Sequence, residues 1–257
     1  EFYKVLECVA ALAISPLGEE HILACFPTED TTWLREEHRR LDEIVKLLQA
    51  SEDIPLEGLT DVRPFLQKAL VQYAYLLPGD LLAVRDVMRS SRLVRSYFTD
   101  KPDDCPAMAA LSQPLHHNRL LEKHISDAID DTGAVRDTAS RELARIRREI
   151  FDTSNRLRQR LEKILRKMKE DEVVSDEFIT QRDGRFVLPM KTEFKRHVPG
   201  IIHGASGSGS TVFLEPAETF DMNNELSLLY NEEQREIVRI LTTLTGELST
   251  DARDFLR

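Results

Sequence analysis

The residues of this chain whose spacing most suggests chemistry lie between Gly200 and Pro216. There the stretch GIIHGASGSGSTVFLEP sets a glycine- and serine-rich loop between two apolar runs. Such a loop can close its backbone N–H groups around a phosphate. A phosphate loop of the GxxxxGK[ST] kind follows a strand, ends in lysine and opens a helix, and the lysine and helix N-terminus supply the positive field. Ser206 to Ser210 carries no lysine and leads into Thr211-Val212-Phe213-Leu214, a β-type run that ends at Pro216. A dinucleotide-binding fingerprint fails for the same reason, because no helix opens at the loop. The stretch therefore reads as a turn between strands.

Other reactive residue types give less. His116, His117, His124 and Glu122 can be imagined around zinc, but their spacing fits no common ligand set, and solvated helix-end residues are the simpler reading. Cys8, Cys25 and Cys105 are far apart and form no CxxC pair, which favours reduced thiols in a cytoplasmic protein over a disulfide framework. The pairs Asp103-Asp104 and Asp130-Asp131 sit in loops with no nearby nucleophile, so a general-base role has little support. No enzymatic site, metal site or cofactor site is expected in this chain.

The elements that would carry any site fall into two halves. In the first half, Ser15-Pro16 marks a helix start. Apolar Trp33, Leu34, Leu41, Ile44, Val45 and Leu48 recur at helical spacing. Pro64 opens a helix expected to run to Leu77. Pro78-Gly79-Asp80 then caps another, with Leu81, Val84, Val87, Met88, Val94 and Phe98 apolar. Residues 1–133 are read as a helical core.

The second half has a different plan. Ser140 looks like the N-cap of a helix from Arg141 to about Glu170, with Leu143, Ile146, Ile150, Leu157, Leu161, Ile164, Leu165 and Met168 in a narrow stripe. Beyond Pro216 a second long helix shows Leu226, Leu229, Tyr230, Ile237, Ile240, Leu241, Leu244 and Leu248. Neither can stand alone, and an antiparallel pair is the simplest solution. Charge agrees. Residues 134–170 hold 12 basic against 6 acidic residues, and residues 215–257 hold 4 against 10, in a chain of net charge -10. The arginines of the first helix are expected to pair in the main with Glu225, Glu232 and Glu236 of the second. Each stripe is interrupted once, at Thr153-Ser154 and at Glu233-Gln234, and the expected register brings these two gaps face to face.

Between the helices, Phe178 to Arg182 and Arg185 to Leu188 flank Asp183-Gly184, a hairpin dipeptide. With Ile201-Ile202-His203 and Thr211 to Leu214 they predict four short strands. The expected fold is mainly α: a helical core (1–133), an outgoing lever helix (134–170), a small antiparallel β-rich clamp (171–215) and a return lever helix (216–257). No apolar run approaches the roughly 20 residues needed to span a bilayer, so no membrane partner is expected. The opening without Met and the end at Asp254-Phe255-Leu256-Arg257 suggest part of something longer.

RDGRFVLPMKTEFKRHVPGIIHGASGSGSTVFLEP, followed by NNELSLLYNEEQREIVRIL, resembles the middle of the second bacterial branch of the MutS family, whose members are associated with suppressing recombination. VRDTASRELARIRREI and EFYKVLECVAALAISPLG fit the same pattern, while residues 19–128 match only in general character. The resemblance implies a helical core and lever helices carrying a clamp, followed by an ATPase domain that uses ATP and magnesium and by a Smr-type nuclease domain. No GxxxxGK[ST] occurs here, so those activities are expected outside this chain. The resemblance also implies a homodimer of the full-length protein closing its clamps around DNA, branched DNA included, or around ribosomal RNA on a stalled ribosome.

On that reading the candidate phosphate contacts are Arg182, Arg185, Lys191, Lys195, Arg196 and His197, with His203 behind them. Lys195-Arg196-His197, on a loop before Pro199, is the densest group. The basic helix Arg141–Lys169 is a second candidate surface wherever its cations escape pairing. The rival reading is a coiled-coil interaction or dimerisation scaffold that touches no nucleic acid, and convergence of the basic residues on one concave face separates the two.

Overall fold

The computed structural model describes residues 1–174 and 178–256. It is mainly α, with nine α-helices and a four-stranded antiparallel sheet among the described residues. The chain divides into two compact units, residues 1–136 with the last helix from Arg239 onward, and residues 137–238.

The first unit holds α1 (Phe2–Ala10), α2 (Pro16–Leu23), α3 (Thr31–Gln49), α4 (Arg63–Ala69), α5 (Pro78–Thr99), α6 (Pro106–Ser112) and α7 (Arg119–Ala128). Its core gathers Leu66, Leu76, Leu81, Val84, Met88, Phe98, Leu121 and Ile125. Ser15 caps α2 by accepting the Gly18 N–H, and Asp30 caps α3 at Thr32 and Trp33. Buried Glu43 of α3 accepts the Ala107 and Met108 N–H groups at 3.0 and 2.8 Å, satisfying the open start of α6. Glu122 is held by Arg92 and His124 by Glu247, so both bond to protein partners. One expectation fails here. The helix opened by Pro64 ends at Ala69 instead of Leu77. Tyr73 takes φ +62, a left-handed conformation that no helix continues through, and the turn returns Leu76 to the core, with its N–H on Thr245 Oγ1.

The second unit holds α8 (Arg141–Glu170), β1 (Thr180–Arg182), β2 (Arg185–Lys191), β3 (Gly200–Ala205), β4 (Thr211–Pro216) and the start of α9 (Phe220–Phe255). Ser140 caps α8 through the Leu143 N–H, and its hydroxyl donates to Glu236. Strand order is β1-β2-β4-β3, all pairs antiparallel. Asp183 and Gly184, at φ +51 and +77, make the tight hairpin their types predict. Leu157, Leu161 and Met168 of α8, Phe186, Leu188 and Met190 of β2, Val212 and Leu214 of β4 and Leu226 of α9 form one core.

The helices α8 and α9 run antiparallel with a register that differs from expectation. Arg147 bonds Glu233 at 2.7 Å, while Thr153 and Arg156 both reach Glu225 at 3.2 Å. The gap at Thr153 thus meets Glu225, eight residues and about 12 Å short of Glu233. Counting from the ends of the β module misleads because those ends are not level. Chain leaving β4 enters α9 at Phe220 after one 3-10 turn, whereas α8 runs on past that point and buries Met168 under the sheet.

The expected charge pairing holds in kind and falls short in number. Arg145 reaches Glu232 at 3.9 Å, Arg156 pairs with Glu225, and Arg147 and Arg160 pair with Glu233 and Glu218. Glu236 accepts from the Ser140 hydroxyl. Arg141, Arg148, Arg158, Lys163, Arg166 and Lys167 of α8 make no ion pair among the described residues. These six, all exposed, outnumber the four arginines that reach acidic residues of the return segment.

Candidate nucleic-acid interface

The six residues proposed from sequence separate into distinct environments. At the hairpin, exposed Arg182 lies over the Phe213 ring, 4.1 Å from its centroid. Its guanidinium covers an aromatic face that would otherwise meet water. His197 is exposed and stands edge-on to Phe194, ring centroids 5.2 Å apart.

Arg185 turns inward. Its Nε and an Nη donate to Glu215 at 2.6 and 2.7 Å, and it also reaches Asn224. His203 Nε2 sits 2.6 Å from the same carboxylate, and Asn223 Nδ2 donates to it at 2.9 Å. Glu215 is fully buried. Burial is the largest single influence on its carboxyl and pushes it up. The hydrogen bonds from Arg185 and His203, the Arg185 charge and the Asn223 amide together outweigh it, so the group stays below the ordinary glutamate range. Asn223 also accepts the Phe186 N–H and donates to the Phe186 carbonyl, pinning the first turn of α9 to β2. Arg185 and His203 are therefore occupied in holding the sheet together, a role their exposed-looking sequence context concealed. The clue was Glu215 itself, a lone carboxylate inside the apolar run VFLEP.

Lys191, Lys195 and Arg196 converge. With Thr192, Glu193 and Ser210 they line one open, shallow depression. The chain builds it through a 3-10 turn, Thr192–Phe194, in which Lys195 N–H donates to the Thr192 carbonyl. The Ser/Gly loop fixes that turn from the side. Thr192 N–H donates to the Ser210 carbonyl at 3.0 Å and its hydroxyl to the Gly209 carbonyl at 2.6 Å. Lys191 Nζ donates to the Glu172 carbonyl, while Lys195 and Arg196 are exposed and make no ion pair among the described residues. Three cations against the single carboxylate of Glu193 make the depression suited to an anion, and its openness suits a large one.

The Ser206–Ser210 loop does not fit the phosphates of ATP. It joins two paired strands, Gly209 N–H already bonds the Ser206 carbonyl, and the loop leads into β4 instead of a helix. No helix among the described residues is long and apolar enough to cross a membrane.

A helical unit, and a long antiparallel helix pair whose outgoing member packs beneath a small four-stranded sheet, make up a mainly α protein with a small β-rich insertion. Comparison with curated proteins refines this. The chain is 39% identical over 254 residues to endonuclease MutS2 of Symbiobacterium thermophilum. It is 37% identical over 252 residues to that of Pelotomaculum thermopropionicum, and 34% over 253 residues to that of Listeria welshimeri. The matches cover 97–98% of this chain and 31–32% of those proteins. The chain is thus of the MutS2 type and spans about a third of the length of the relatives it matches. No family model matches it.

Proposed function

We propose that this chain is the core, lever and clamp portion of a MutS2-type protein and grips the phosphate backbone of nucleic acid without catalysing a reaction itself. The observation that carries this reading is the convergence of Lys191, Lys195 and Arg196 on one open depression. His197 follows Arg196 on the same segment and Arg182 lies at the β1–β2 hairpin; both are secondary contacts on this reading, and Arg185 is engaged by Glu215. ATP and magnesium, the nuclease activity for which the relatives are named, and dimerisation belong to the remaining two-thirds of such a protein, which would act in the cytoplasm. Suppression of recombination by clamping DNA, or clamping of ribosomal RNA on a stalled ribosome, is the activity we assign to the whole.

The scaffold alternative needs apolar stripes open to a second coil. Leu157, Leu161, Leu226 and Leu229 are instead buried within this chain, which supports the clamp reading.

The test is fluorescence-anisotropy binding to a labelled four-way junction and a plain duplex at about 50 and 200 mM salt. Salt-sensitive binding that Lys195→Ala with Arg196→Ala weakens is expected. Binding unaffected by that double variant would refute contact at the depression.

A further inference from the structure

The register of the two long helices separates the cations of α8 into two classes with different work. Pairing with α9 ends at Arg160, whose partner Glu218 lies in the turn just before α9 begins. The last ten residues of α8 run on beside the sheet, where α9 offers no carboxylate. Lys163, Arg166 and Lys167 lie on this stretch, exposed and without an ion pair among the described residues.

The chain leaving this stretch is fastened to one edge of the depression. Lys191 N–H donates to the Val173 carbonyl at 3.0 Å and its Nζ to the Glu172 carbonyl at 2.9 Å. A bridge between Val174 and Met190 lies beside them. The end of β2, which leads into the basic turn, is thus fastened to the chain leaving α8. Lys163 stands nine residues before Glu172, about 14 Å at the helical rise, the axial length of roughly four base pairs of duplex.

We propose that Lys163, Arg166 and Lys167 extend the depression into one track for the phosphate backbone of a duplex polynucleotide. Arg147, Arg156 and Arg160 are instead engaged by Glu233, Glu225 and Glu218, and Arg145 chiefly by Glu142 and Glu149 of its own helix. The inference rests on the clamp reading above and adds a second contact region to it. Glu162 and Glu170 stand on the same stretch, and Glu170, four residues from Arg166, opposes the track.

The experiment uses the 257-residue chain and labelled DNA and RNA duplexes about three helical turns long, titrated between roughly 50 and 200 mM salt. Lys163, Arg166 and Lys167 are changed together to Ala, which keeps the helix because alanine is its best former. The triple variant should bind about tenfold more weakly at low salt, and its log–log salt slope should fall by about 0.9 for each phosphate it no longer neutralises. Arg156→Ala with Arg160→Ala should leave the slope unchanged, and Glu170→Gln should strengthen binding about twofold, a like-charge effect. The duplex that responds more strongly identifies the polynucleotide.

A triple variant with unchanged affinity and slope overturns the track, and the clamp reading survives if Lys195→Ala with Arg196→Ala still weakens binding. Weakening in the triple variant alone also overturns the track, since the polynucleotide would then avoid the depression. An unaltered chain that binds neither duplex overturns both proposals.

Discussion

Arg185 and Glu215 meet across the sheet through two hydrogen bonds of 2.6 and 2.7 Å, with the carboxylate fully buried and the guanidinium about three-quarters so. A buried charge is tolerated only when its lone pairs are answered. Here His203 and Asn223 answer the rest. Removing one partner leaves the other uncompensated. Glu215→Ala is expected to destabilise the unit of residues 137–238 by roughly 3 kcal/mol, read as a lower denaturant midpoint. Arg185→Ala should behave likewise, whereas Lys195→Ala should leave the midpoint unchanged.

The same network sets a pH dependence. The folded Glu215 carboxyl ionises below its unfolded value, so folding releases its proton. Its stabilising contribution is complete above the ordinary glutamate value of about 4.3 and is lost as pH falls through the lower folded value. Denaturant midpoints measured across the acid range should fall in this window for the parent chain. Glu215→Gln, already less stable, should show a flatter profile there.

Gly200 is required by close approach. A Cβ at this position would stand 2.2 Å from the Glu215 carbonyl oxygen and 2.8 Å from Leu214 Cδ1. Gly200→Ala must push β3 off β4, with a loss at or beyond the upper end of the roughly 1–3 kcal/mol typical of overpacking. Hydrogen exchange should report it as faster exchange along β3. Gly207→Ala, where nothing lies within 4 Å of the new carbon, serves as the contrast.

The helix register is open to a double-mutant cycle. Arg147 and Glu233 are mostly buried and 2.7 Å apart, so Arg147→Ala and Glu233→Ala should couple by about 0.5–1 kcal/mol. Arg147→Ala and Glu225→Ala, lying eight residues apart in the pairing, should add to within about 0.5 kcal/mol. Coupling in the second cycle and none in the first would sink the register described here.

Asn223 offers a further test of how the sheet is held. Its amide bonds the Phe186 N–H and carbonyl as well as Glu215. Asn223→Ala strands these buried groups and should cost about 2–3 kcal/mol. Asn223→Asp places a second carboxylate against Glu215 and should be at least as damaging, as chemical denaturation would show.

By itself the amino-acid order determined everything governed by neighbours in the chain. The cap at Ser140 and the stripe from Leu143 to Met168 defined α8 to the residue, because capping and periodicity act within a few positions. Asp183-Gly184 marked its hairpin, since only certain residue types accept left-handed φ values. The resemblance to the second bacterial branch of the MutS family is likewise carried by the residue order itself, in RDGRFVLPMKTEFKRHVPG and its continuation. What tertiary structure alone decided was which cations are free. Arg185 and Lys195 look alike in sequence, yet one is drawn to buried Glu215 and the other faces water beside Arg196. The helix register was likewise beyond the sequence, because it depends on where the sheet lets α9 begin and how far α8 continues beneath it. A charged side chain takes its role from the field of groups distant in sequence, and only the packed chain brings those groups within reach.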